Sequence, residues 1–76
     1  MIDIYPLTII RDRYGGTYSG GKYTAWNVKH YEIPKRIDGD DMDCQKAWQD
    51  LRNVKYPVGI GETIQEAIKD LERLLQ

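Results

Sequence analysis

The sequence predicts a single α+β domain of 76 residues, and three features predict it. Two β-rich runs flank a glycine–tyrosine segment, an apolar stripe at helical spacing surrounds Trp48, and a capped amphipathic run closes the chain. At this length folding buries only about 60% of the surface an unfolded chain exposes, so the core is thin. Function at the surface is a better expectation than an enzyme pocket, and association with a partner or a second copy would add stability.

Tyr5 to Asp12 is rich in β-branched and apolar residues and reads as the first strand. Pro6 belongs at its start or on an edge, because proline has no N–H to give a ladder. Lys22 to Tyr31 is the returning strand. Its alternation sets Tyr23, Ala25 and Asn27 on one face and Thr24, Trp26 and Val28 on the other. Between the strands stand two glycine pairs, Gly15-Gly16 and Gly20-Gly21. They fit either a two-residue turn at Gly15-Gly16 with a bulge at Gly20-Gly21, or one longer loop over 13–21; the first is the expectation.

Ile33-Pro34 breaks the second strand, and Gly39 closes a polar loop. Asp40 or Asp41 is a natural N-cap for a helix over 42–52, whose Cys44, Ala47, Trp48 and Leu51 share one face. Further acids in its first turn meet the helix dipole. Tyr56 to Ile60 is a short third strand. Thr63-Ile64-Gln65-Glu66 is a capping box, and Ile64, Ala67, Ile68, Leu71, Leu74 and Leu75 follow as a core-facing helical stripe.

Composition narrows the chemistry. One His and one Cys exclude a zinc site of those ligand types within one chain, and the single Cys44 excludes an internal disulfide and suits a reducing cytoplasm. No segment reaches the roughly 20 apolar residues of a membrane span, and no leader-like run opens the sequence. Residues 1–36 hold six Lys/Arg against three acids, while 37–76 hold five against nine. A mildly basic hairpin therefore faces an acidic helical half, which solvated surface also explains.

Each chemical motif has a plain structural reading beside it. The run Asp38, Asp40, Asp41 and Asp43 lacks the ligand spacing of a calcium loop and reads as a helix cap, or as an acidic patch that mimics phosphates for a basic partner. His30 has no Ser or Cys at an informative spacing, and Cys44 lies on an apolar stripe, so no catalytic residue, metal or cofactor is assigned. The glycine segment lacks the G-K-[ST] ending of a phosphate loop.

Arg11, Arg13, Lys22 and Lys29, interleaved with Tyr14, Tyr18, Tyr23 and Trp26, fit a protein interface, a purely structural aromatic set, or a stacking platform for single-stranded nucleic acid. Trp26 and Trp48 are assigned to the core. Tyr14 and Tyr18 are assigned to an exposed hairpin tip, so that removing both rings should abolish partner binding and leave the melting temperature nearly unchanged. A net charge of −1 weighs against nucleic acid.

The run Tyr56-Pro57-Val58-Gly59-Ile60-Gly61-Glu62-Thr63-Ile64-Gln65-Glu66-Ala67-Ile68 resembles the end of HicB-like antitoxin domains. That resemblance implies a partial RNase-H-like architecture and an antitoxin or small nucleic-acid-binding regulator, with a toxin as partner. The glycine–tyrosine segment is similar to segments of small phage and mobile-element proteins, among them anti-CRISPR and other anti-defence inhibitors. This second likeness implies a non-enzymatic inhibitor that occludes a host defence complex in the host cytoplasm. Arg11, Arg13, Tyr14, Tyr18 and Lys22 are the expected contact residues, with Asp38, Asp40, Asp41 and Asp43 as a second patch and homodimerisation as a further expectation.

Overall fold

A computed structural model describes residues 3–76. Three strands, β1 (Thr8–Arg11), β2 (Tyr23–Trp26) and β3 (Val58–Gly61), form one antiparallel sheet in the order β1-β2-β3. Helix α1 (Asp41–Asn53) lies between β2 and β3 in sequence, and α2 (Ile64–Leu74) follows β3. The α+β class and the element order read from the sequence are those of the molecule. None of its helices is long and apolar enough to cross a membrane among the described residues.

Alternation along β2 divides the interior in two. Trp26 joins Ile33, Ile37, Cys44, Ala47, Trp48 and Val58 on one side of the sheet, with Ile10 and Val28 packed against them. Ala25 joins Ala67 and Leu71 on the other, with Ile9 and Tyr23 alongside. The two tryptophans meet at 5.6 Å between ring centroids. Trp26 also donates from Nε1 to Thr24 Oγ1 at 2.9 Å, which satisfies the indole inside the core. The indole N–H of buried Trp48 has no oxygen acceptor among the described residues and lies beside the Cys44 thiol.

The helix ends follow their residues. Asp40 is the N-cap of α1, accepting from the Asp43 amide at 2.9 Å. After Asn53 the chain leaves through Lys55 at φ 54°, a left-handed residue that glycine would adopt with less strain. In α2, Thr63 Oγ1 accepts from the Glu66 amide at 3.1 Å, while the Thr63 hydroxyl donates to Glu66 Oε1 at 3.3 Å. The capping box thus closes through its side chains rather than through the Thr63 amide.

Two expectations are corrected. The second strand spans four residues rather than ten, because the chain turns at His30–Glu32 and again at Lys35–Asp38 in short 3-10 turns. The α2 stripe is also narrower than its periodicity suggests: Ala67 and Leu71 are fully buried, whereas Ile64 and Leu74 are 42% and 41% exposed. A three-stranded sheet is too small to cover a whole helix face.

Candidate partner-binding surface

The two glycine pairs make one long loop, not a two-residue turn with a bulge. The Asp12 amide donates to the Lys22 carbonyl at 2.7 Å and closes its base, and a series of turns fills the span between. Asp12 explains the difference. Its buried carboxylate accepts from the Gly16 amide at 2.6 Å and from the Tyr14 amide at 3.2 Å, and its carbonyl accepts from Gly15. An Asx-type knot of this sort outcompetes a tight hairpin turn. Gly16, at φ 98°, then packs so closely on Gly21 that a Cβ would come within 2.9 Å of the Gly21 carbonyl carbon. The spacing of Asp12 to Gly16 was the available signal.

Tyr14 and Tyr18 do not form an exposed tip. Both are half-buried against the Trp26 side of the core, edge to face with each other at 5.5 Å and 76°. The Tyr14 hydroxyl donates to the Gly39 carbonyl at 2.6 Å, and the Tyr18 hydroxyl donates to Asp41 Oδ1 at 3.2 Å. Burial pushes both phenols above their ordinary pKa of 10.0, with the Asp41 hydrogen bond adding to the rise at Tyr18. They therefore remain hydrogen-bond donors through neutral pH. With these bonds and this packing, removal of both rings should lower the melting temperature.

The loop has three other fastenings. Arg13 Nη1 donates to the Asp38 and Gly39 carbonyls at 3.0 and 3.2 Å, with the guanidinium 5.5 Å from the Tyr14 ring centroid. Arg52, in the last turn of α1, donates to the Tyr18 carbonyl. The Lys22 amide donates to Glu62 Oε2 at 3.0 Å. A loop held at so many points is preorganised, which reduces the entropy lost on binding.

These fastenings bring the two expected patches side by side. Arg11, Asp12, Arg13, Gly15 and Lys22 line a cleft of 380 Å³ at the loop base. The only ion pair among the described residues joins Arg73 to Asp70, so Arg11, Arg13 and Lys22 carry no carboxylate partner of their own. Adjoining them, Asp38, Asp40, Asp41 and Asp43 are exposed, although Asp40 caps α1 and Asp41 holds Tyr18. No three His, Cys, Asp or Glu side chains come together to hold a metal ion among the described residues.

His30 is exposed and stands edge-on to Tyr31 at 5.6 Å. Cys44 is fully buried, and burial raises its thiol above the ordinary 9.0, which keeps it protonated. Compared with known proteins, the chain matches no family model, no curated protein and no solved structure.

Proposed function

We propose that this chain is a small non-catalytic binding protein that docks on another protein through the loop-base cleft of Arg11, Arg13 and Lys22. One observation carries the reading: three cations without ion-pair partners line one cleft, on a fastened loop, with Asp12, whose carboxylate is taken up by backbone amides. Cations held in register on a rigid frame steer and orient an acidic partner surface. Arg13 keeps Nε and Nη2 available while Nη1 is anchored, which suits bidentate recognition of a carboxylate. Tyr14 and Tyr18 serve here as the frame rather than as contact groups. Occlusion of a larger complex is the mode of action that suits a body of this size, in keeping with the anti-defence inhibitors that the glycine–tyrosine segment resembles.

The positions of His30 and Cys44 support a non-catalytic reading, since one is solvated without a nucleophile partner and the other is sealed in the core. The same cleft offers phosphate-binding chemistry, so the HicB-like alternative of a toxin- or nucleic-acid-binding regulator is tested with it. Capture from a bacterial lysate compares the wild type with the Arg11→Gln, Lys22→Gln variant, which leaves the Arg13 fastening intact, before and after nuclease treatment. Proteins retained after nuclease and lost with the variant are the expected result. Capture that ends with nuclease transfers the cleft to nucleic acid, and capture unchanged in the variant removes the cleft from the interface.

A further inference from the structure

The two edges of the sheet are finished differently. On β3 the outward amide of Ile60 is taken by Asp70 Oδ2 of α2 at 2.9 Å, and Pro57 precedes the strand. Among the described residues, strand β1 has no such cover. Its register pairs Thr8 with Trp26 and Arg11 with Tyr23, and the Asp12 amide points inward to Lys22. Alternation then turns the amides and carbonyls of Ile9 and Arg11 outward, and no group among the described residues bonds their amides.

Arg11 is also shared by two clefts. One is the cationic cleft at the loop base. The other, 320 Å³, runs from Ile10 and Arg11 to Ile33, Pro34, Lys35 and Ile37, with His30 and Asp38 at its rim. An unpaired strand edge with an apolar floor beside it and cations toward its loop end is laid out for an extended chain. An added strand takes its affinity from backbone pairing and its specificity from the pockets its side chains reach.

Resting on the reading above, we propose that β1 accepts an extended acidic segment of the partner protein as a fourth strand. Its backbone pairs with Ile9 and Arg11, its carboxylates meet Arg11, Arg13 and Lys22, and its apolar side chains enter the Ile10–Ile33–Ile37 cleft. Charge complementarity selects this occupant over a second copy of the chain, because the edge is flanked by cations and like charges oppose self-pairing.

The test uses the full ¹⁵N-labelled chain and an acetylated octapeptide alternating Glu and Val, with its fully N-methylated form and its Lys-for-Glu form as controls. Amide exchange at Ile9 and Arg11 is expected to slow about tenfold or more with the Glu-Val peptide only, while Ile60 is unchanged and Arg11→Gln weakens the effect. Shifts at Arg11, Arg13 and Lys22 that persist with the N-methylated peptide, without protection of Ile9 and Arg11, overturn strand pairing and leave the cationic surface standing. No response at the three cations to either acidic peptide overturns both readings. Protection that grows with protein concentration in the absence of peptide assigns the edge to self-association instead.

Discussion

The two faces of the sheet are held by different physics. On one, α2 seats against β2 and β3 by close steric fit: Gly59, Ala25 and Ala67 let its backbone approach, and Leu71 fills what remains. On the other, the glycine–tyrosine loop and α1 are joined by tyrosine hydroxyls, an arginine and a buried aspartate bonded to backbone. Apolar fit tolerates no added volume, whereas polar fastening is divided into pieces that fail one at a time. The first builds the fold; the second shapes a surface on it.

Gly59→Ala should give the largest effect and strains that contrast most. Its Cβ would lie 2.1 Å from the Ala67 carbonyl oxygen and 2.5 Å from the Leu71 amide, both backbone atoms that cannot swing aside. The helix must lift from the strand, at a cost of about 3 kcal/mol or more, which in so small a domain means a Tm lower by about 12–24 °C or failure to fold. Urea unfolding measures it. A loss below about 1 kcal/mol would show that α2 is not seated by steric fit.

Asp12→Ala comes next. It leaves the Gly16 and Tyr14 amides without their acceptor in a half-buried loop, and about 1–3 kcal/mol is expected. The loss should be local: amide exchange accelerates across 13–21 while Ala67 and Leu71 stay protected. Uniform acceleration would erase the distinction between the two faces.

The tyrosines carry smaller effects, and a pH dependence. Tyr14→Phe removes a 2.6 Å hydrogen bond to the Gly39 carbonyl and should lower Tm by about 4–8 °C; Tyr18→Phe, with a longer bond in a more exposed setting, should do less. Both phenols have pKa values raised above 10.0 in the folded state. The stability they contribute is complete below pH about 10 and declines as pH rises through the folded values, since the unfolded chain then binds fewer protons. Buried Cys44 adds the same sign from about pH 9. Thermal melts between pH 8 and 12 should fall in the wild type, and the double Phe variant should flatten the part of the decline above pH 10.

What the sequence made legible follows the same division. Helix α2 was legible because Thr63, Glu66 and the Ala67–Leu71 stripe are local signals that the steric face preserves. Likewise, alternation along β2 placed Trp26 and Ala25 on opposite sides, as found. The polar face was not legible, because its partners are backbone carbonyls distant in sequence. Nothing in Gly39 announces that Tyr14 will donate to it from 25 residues away. The run Asn27–Tyr31 read as strand because its composition permits one, but no third neighbour holds it to the ladder past Trp26. The cations emerged from composition, and their gathering at one cleft did not, since it depends on the Asp12 knot.

Neutralising the cleft should have the smallest effect on stability, and this sharpens the contrast between frame and surface. The side chains of Arg11 and Lys22 are exposed and make no hydrogen bond or ion pair among the described residues. Arg11→Gln with Lys22→Gln should therefore shift Tm by less than about 4 °C, as surface substitutions away from fastenings do. Removing two positive charges lowers the local potential at the loop base, so the response of Arg13 to an acidic peptide should weaken and lose much of its salt dependence. If the pair instead lowers Tm as far as Tyr14→Phe, the cations belong to the frame, and the cleft gives up its claim to be the surface that the frame presents.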